Sequence, residues 1–152
     1  MLQLSLTLDR EPQALDLTRD SLGSRILEAA VEGMIQAHAR QQAPDGRPWV
    51  ALAPSTVRQK GHDQIGVRTG AMLDPLLWLA GKHTVAPRRA TWQHPAAATG
   101  GREKGKILGF HRGDPRRRQP PRPLLGWTAR ARDVAAALIQ EALEALPRAT
   151  RG

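Results

Sequence analysis

Leu2, Leu4, Leu6 and Leu8 alternate with Gln3, Ser5, Thr7 and Asp9, and this period of two predicts a half-buried strand. Asp9 ahead of Glu11-Pro12 has the form of an N-cap with an acidic first turn, which predicts a short helix near residues 10–18. From Asp20 to Gln41 the period becomes helical. Leu22, Ile26, Ala30, Met34 and Ala37/His38 form one stripe, and Leu27, Val31 and Ile35 widen it. A face this broad packs on two sides of its own fold or lends part of itself to a neighbouring subunit.

Beyond this helix the pattern breaks. Pro44-Asp45-Gly46 is a tight-turn signal, because Pro sets φ and Gly accepts a positive one. Trp49 and Leu52 are expected to fold back onto the core, and Pro54-Ser55-Thr56 to open a short helical turn to about Lys60. After a loop from Gly61 to Gly66, Thr69-Gly70 precedes a short helix at Ala71–Asp74, and Leu76–Leu79 is expected to lead into strand. Thr84–Ala86 and Ala90–Gln93 read as strands joined by a turn at Pro87-Arg88-Arg89. Residues 95–123 are rich in Gly, Pro and Arg around one apolar island, Ile107–Phe110. That composition predicts a long mobile loop (99–122 in its basic part) holding at most one strand. A last amphipathic helix is expected from Arg130 to Leu146. Ala131, Val134/Ala135, Leu138/Ile139, Ala142 and Ala145/Leu146 lie on its apolar face, and Pro147 stops it before a disordered tail, 148–152. The sum is an α+β fold in one domain, 1–147: helices around a small, mostly antiparallel sheet.

Charge changes the picture more than composition does. Lys and Arg number 23 against 14 Asp and Glu, a net charge of +9. Between Thr99 and Arg122 eight basic residues face two acidic ones, so that stretch alone nets +6 and leaves +3 for the rest of the chain. Such a balance favours nucleic acid or an acidic partner without choosing between them. With one Phe, four Trp and no Tyr, the chain is poor in the stacking platforms of single-strand binders. The absence of cysteine excludes disulfides, thiolate metal sites and Cys nucleophiles. No apolar run reaches the length of a membrane span, and Met1–Leu6 has neither the basic nor the apolar region of a signal peptide.

The catalytic constellations are missing as patterns. His38, His62, His83, His94 and His111 are scattered, with no HxxxH pair and no clustered carboxylates. There is no phosphate-binding GxxxxGK[ST] and no GxSxG elbow, and Gly100-Gly101 is only a hinge dipeptide. The expectation is a protein without catalytic residues, cofactor or metal.

Three segments carry a resemblance. They are Pro44–Leu52 with Ser55–Lys60, then Arg68–Leu73, then Phe110–Gly113 followed by Pro120-Pro121-Arg122-Pro123-Leu124-Leu125-Gly126. In this order, and with a last helix behind them, they resemble the virion morphogenesis or tail completion proteins of tailed phages, similar to the Mu-like and P2-like members. The resemblance covers roughly residues 20–146. It marks Asp45, Gly46, Trp49, Leu52, Thr69, Gly70, His111, Arg122, Pro123, Leu125 and Gly126 as fold or interface positions, with His94 an alternative counterpart of the family histidine. It implies a structural subunit of the virion, made in the host cytoplasm and placed at the head–tail junction. There it would form a homo-oligomeric ring, six-fold by the resemblance, with tail-tube and head-connector proteins as partners. Arg112, Arg116, Arg117 and Arg118 would then be contacts for genomic DNA in the lumen or for a protein partner. The competing readings are a stand-alone basic nucleic-acid-binding protein and a small RNA-cleaving enzyme. No basic helix face or recognised binding motif supports the first, and no His/Arg/Glu spacing supports the second.

Overall fold

The computed structural model describes residues 3–8, 15–65, 71–95 and 102–147. Its elements in chain order are β1 (Gln3–Thr7), α1 (Leu22–Ala39), α2 (Pro54–Lys60), α3 (Pro75–Leu79), β2 (Lys82–Ala86), β3 (Arg89–Gln93), α4 (Arg102–Arg112) and α5 (Ala129–Glu144). Short 3-10 turns lie at Arg19–Ser21, Ala71–Leu73 and Pro115–Arg117. The fold is α+β, with one antiparallel sheet in the order β1-β3-β2.

The register explains the alternation in the first strand. Leu4 pairs with Trp92 and Leu6 with Ala90, while His83 and Val85 of β2 pair with the same two residues from the other side. These six share one face of the sheet. Ser5, Thr91 and Thr84 lie in line on the opposite, more polar face. Helix α1 covers the apolar face. A methyl group on Gly23 would stand 2.8 Å from Val85 and 3.2 Å from Ala90, so the helix backbone approaches the sheet directly.

The other side of α1 is covered by α5. Gly33 admits this contact: a Cβ there would lie 2.5 Å from the Thr128 hydroxyl, which caps α5 by accepting the Ala131 amide hydrogen at 3.1 Å. Ala131 and Ala135 are buried along this seam. Leu22, Ile26, Leu27, Ala30, Val31, Met34 and Ala37 are buried too, so the broad apolar face of α1 is used up within the subunit. The large apolar side chains exposed among the described residues are Val50, Leu76, Leu79 and Val134. Val134, read as a core position, sits on the outer side of α5.

Leu76–Leu79 leads into strand β2 as expected, and does so as a helical turn. Asp74 caps it by accepting the Leu76 amide hydrogen at 2.9 Å, and Pro75 stands at the first helical position, where its missing N–H costs nothing. Residues 102–112, placed in a mobile loop, form helix α4. Ile107, Phe110 and His111 fall at helical spacing, with Ile107 and Phe110 buried, and Gly109 borders open space. Composition misled here because Gly105 and Gly109 lower helix propensity without forbidding a helix that tertiary contacts hold. The helix expected near residues 10–18 falls partly outside the described residues, and Leu15–Thr18 is not helical. The tail 148–152, the Gly100-Gly101 pair, Thr69 and Gly70 also lie outside them.

Candidate functional site: a strap held by side chains

Helix α1 ends in a loop that turns back on itself. The Trp49 amide donates to Gln41 O at 3.0 Å, and Ala43 to Arg47 O at 2.9 Å. At the tip Gly46 has φ +88°, the left-handed value the Asp-Gly signal predicted. Asp45 accepts the Arg47 amide at 3.0 Å and its guanidinium at 2.7 Å, which holds its carboxyl below the usual range. At the loop's base the Gln41 side-chain amide pairs with both backbone groups of Ile65, through Ile65 N–H to Oε1 and Nε2 to Ile65 O. The loop thus delivers Trp49 to the interior beside His38 and Phe110.

What Trp49 meets is the segment Arg122-Pro123-Leu124, an extended strap from the third motif. Its backbone groups are taken up almost one by one. The Arg122 amide donates to Phe110 O at 3.0 Å, the Trp49 indole N–H to Pro123 O at 3.0 Å, and the Leu124 amide to His111 Nδ1 at 2.9 Å. His38 Nε2 lies 2.9 Å from Leu124 O. Prolines at 120, 121 and 123 cannot donate to a sheet ladder, so side chains do the work that a neighbouring strand would do.

Arg122 is the unexpected member. Its side chain is buried, with Nε donating to Val50 O at 3.0 Å and the guanidinium 5.7 Å from the Phe110 ring centre. Burial pulls its pKa down. It is therefore a structural tie between the strap and the loop at 44–52, not a surface charge.

Behind the strap lies a layer of rings. His38 packs edge-on against Trp78 at 4.6 Å, Trp78 stacks on Trp92 at 5.5 Å, and His94 meets Trp78 edge-on at 4.7 Å. Burial pushes both His38 and His94 down to about 4, outweighing for His38 the opposing effect of its bond to Leu124. His111 is lowered by burial and then by the neighbouring Arg112 charge. These imidazoles are neutral near pH 7. With Nδ1 accepting from Leu124, His111 carries its proton on Nε2.

The motif residues Trp49, His111, Arg122 and Pro123 thus converge, and Asp45 and Gly46 build the loop that brings Trp49 in. Leu52 and Leu125 pack at the edge of the core. Gly126 follows the strap, close to Pro44. His111 joins the strap, whereas His94 belongs to the ring layer behind it. Sequence reading missed His38, Trp78, Trp92 and Phe110 as partners. The available signal was a histidine at an apolar-stripe position of α1. Arg112, Arg116, Arg117 and Arg118 stand apart, exposed on the end of α4 and the turn after it.

No group of three metal-ligating side chains occurs among the described residues, and no helix there is long and apolar enough to cross a membrane. The convergence is a buried joint of rings and backbone hydrogen bonds. Clefts occur elsewhere. The one between the α1 entry and the end of α5, about 250 Å³, is lined by Leu15, Asp16, Arg25, Leu138 and Glu141 among others. Compared with known proteins, the chain matches the model of the phage virion morphogenesis family over residues 7–144. No curated protein and no solved structure matches it.

Proposed function

Because the chain belongs to the phage virion morphogenesis family, and so has a structural or assembly role in the virion, we propose that it is a non-catalytic subunit of the head–tail junction. In this reading copies of the chain form a closed ring, six in number, that completes the tail and docks it to the capsid connector. The supporting observation is where the motif residues go. Trp49, His111 and Arg122 spend their polar atoms on backbone groups of their own chain, which makes a stiff joint between loop 44–52, α4 and the strap. Residues used in this way maintain shape, and a part that must mate with copies of itself and with other rings needs a fixed shape. Head-to-tail contacts between identical subunits close into a ring when the rotation per contact allows. The apolar face of α1 is already covered, so ring contacts must come from other surfaces.

Electron microscopy of assembled particles tests this reading. The expected result is density for the chain as a closed ring at the neck, and tails from particles lacking it that fail to join heads. A single copy per tail, a two-fold dimer, or complexes that form only on DNA would overturn it. The last outcome would favour the stand-alone nucleic-acid-binding reading. Turnover abolished by changing one histidine would overturn the non-catalytic part.

A further inference from the structure

The segment Asp114–Gln119 is a closed turn. At its base the Asp114 amide donates to Gln119 O and the Gln119 amide to Asp114 O, both at 2.9 Å. The Asp114 carboxylate accepts the amide hydrogens of Arg116 and Arg117 at 3.0 and 3.4 Å, and Arg118 ends the turn at φ +51°. Below it Gly113, at φ +80°, packs so tightly that a Cβ would lie 2.8 Å from Pro121 N. The returning chain is then tied into the core by Arg122 and Leu124. Three consecutive arginines are therefore held on a braced support, and all three are exposed.

Their charge is barely compensated. Asp114 is the single acid between residues 112 and 122, and its carboxylate is engaged with backbone amides and a 3.6 Å ion pair to Arg117. Arg112, exposed at the end of α4, adds a fourth guanidinium close by in the chain. Arg116 and Arg117 lie in a 3-10 turn, where successive side chains step by about 120°, and Arg118 leaves it in the left-handed region, so the three start from different sides of the turn. They suit an extended array of negative charge. A stable protein contact usually centres on a desolvated core in which aromatic and apolar side chains accompany any arginine. From Arg112 to Gln119 the exposed side chains offer Pro115 and otherwise only charge. Duplex DNA requires no such core, because phosphate contacts alone position it.

We propose that the Asp114–Gln119 turn, with Arg112, is a contact for the phosphate backbone of duplex DNA and reads no base sequence. The proposal rests on the head–tail reading only for where that duplex passes. The contact itself is a property of the subunit.

The test is binding of the full chain to a labelled mixed-sequence duplex, followed by anisotropy between about 50 and 200 mM salt. The variant R116Q/R117Q/R118Q removes three exposed charges from the turn. R40Q/R130Q/R132Q removes three from exposed positions elsewhere. The turn variant is expected to bind about tenfold or more weakly at low salt. Its log affinity against log salt should lose about 2–3 from its slope, at roughly 0.9 per phosphate contact. The control should change far less. Equal weakening in both variants would assign the effect to bulk charge and overturn the proposal, as would no weakening in the turn variant. If the turn variant keeps its DNA affinity yet fails to join particles, the arginines meet an acidic protein, and the DNA assignment falls while the head–tail reading stands. If the turn binds DNA as expected but the chain is absent from the neck, the reverse holds.

Discussion

His111 Nδ1 accepts the amide hydrogen of Leu124 at 2.9 Å, and the carbonyl of that same residue faces His38 Nε2 at 2.9 Å, so two imidazoles hold one residue of the strap from both sides. Leu124 is fully buried, and neither backbone group has water to turn to. His111→Phe keeps a ring but removes the acceptor, which leaves the amide hydrogen unpaired. The expected loss is about 1–3 kcal/mol of folding stability, measured by urea unfolding. A variant as stable as the parent would show that the bond contributes nothing.

Two buried histidines, His38 and His94, set an acid limit. His38 and His94 are pushed from 6.5 to about 4 in the folded protein, so the unfolded chain takes up their protons first. The folded pKa lies below the unfolded one, so stability falls as pH drops from about 6.5 and stops falling from this source near 4. Within that window each histidine contributes a slope of about 1.4 kcal/mol per pH unit. Urea midpoints taken between pH 7 and 4 check this, and His38→Gln should flatten the curve. A stability unchanged between pH 6.5 and 4.5 would contradict it.

How much of this could be read from the chain follows from which interactions are local. The alternation of Leu2–Leu8, the stripe from Leu22 to His38 and the Pro-Asp-Gly turn each depend on neighbours in sequence, and β1, α1 and the 44–49 loop appear as expected. Helix α4 did not show itself, because its glycines and charges conceal the spacing of Ile107, Phe110 and His111 that tertiary contacts exploit. The motif positions Trp49, His111 and Arg122 were found through resemblance. Their common purpose was hidden, since each bonds to backbone 13 to 74 residues away and backbone groups leave no mark in a sequence. Arg122 shows the limit best. It counts as one more charge in a basic stretch, yet it is buried and separate in role from Arg116–Arg118.

Gly81 gives a sharp packing prediction. A Cβ there would lie 1.9 Å from the indole nitrogen of Trp92, which is fully buried and stacked on Trp78. Neither ring can retreat without displacing the other. Gly81→Ala is expected to cost at least about 1–3 kcal/mol through overpacking, seen as a lower Tm and altered Trp fluorescence. A neutral effect would mean that the β2 entry shifts freely, contrary to this packing.

The turn after α4 yields the last prediction, because its order depends on one carboxylate. Within the basic stretch Asp114 does more than dilute the charge: it caps the turn by accepting the amide hydrogens of Arg116 and Arg117. Three like-charged side chains in sequence repel, and the backbone would spread them apart if nothing held it. Asp114→Ala removes the cap and the ion pair to Arg117 together, whereas Asp114→Asn keeps an acceptor and removes the charge. The alanine variant should lose about 0.5–2 kcal/mol of local stability, the range for a lost cap. The asparagine variant should lose less, because a surface ion pair contributes little. Hydrogen exchange at the Gln119 amide, bonded to Asp114 O in the closed turn, reads this directly. Exchange should quicken about 2- to 30-fold in the alanine variant, the equivalent of that loss, while the rest of the chain is unchanged. If that amide exchanges in the parent as fast as in an unfolded peptide, the turn is not braced. The arginines would then meet DNA as a mobile basic segment, and asparagine and alanine would behave alike.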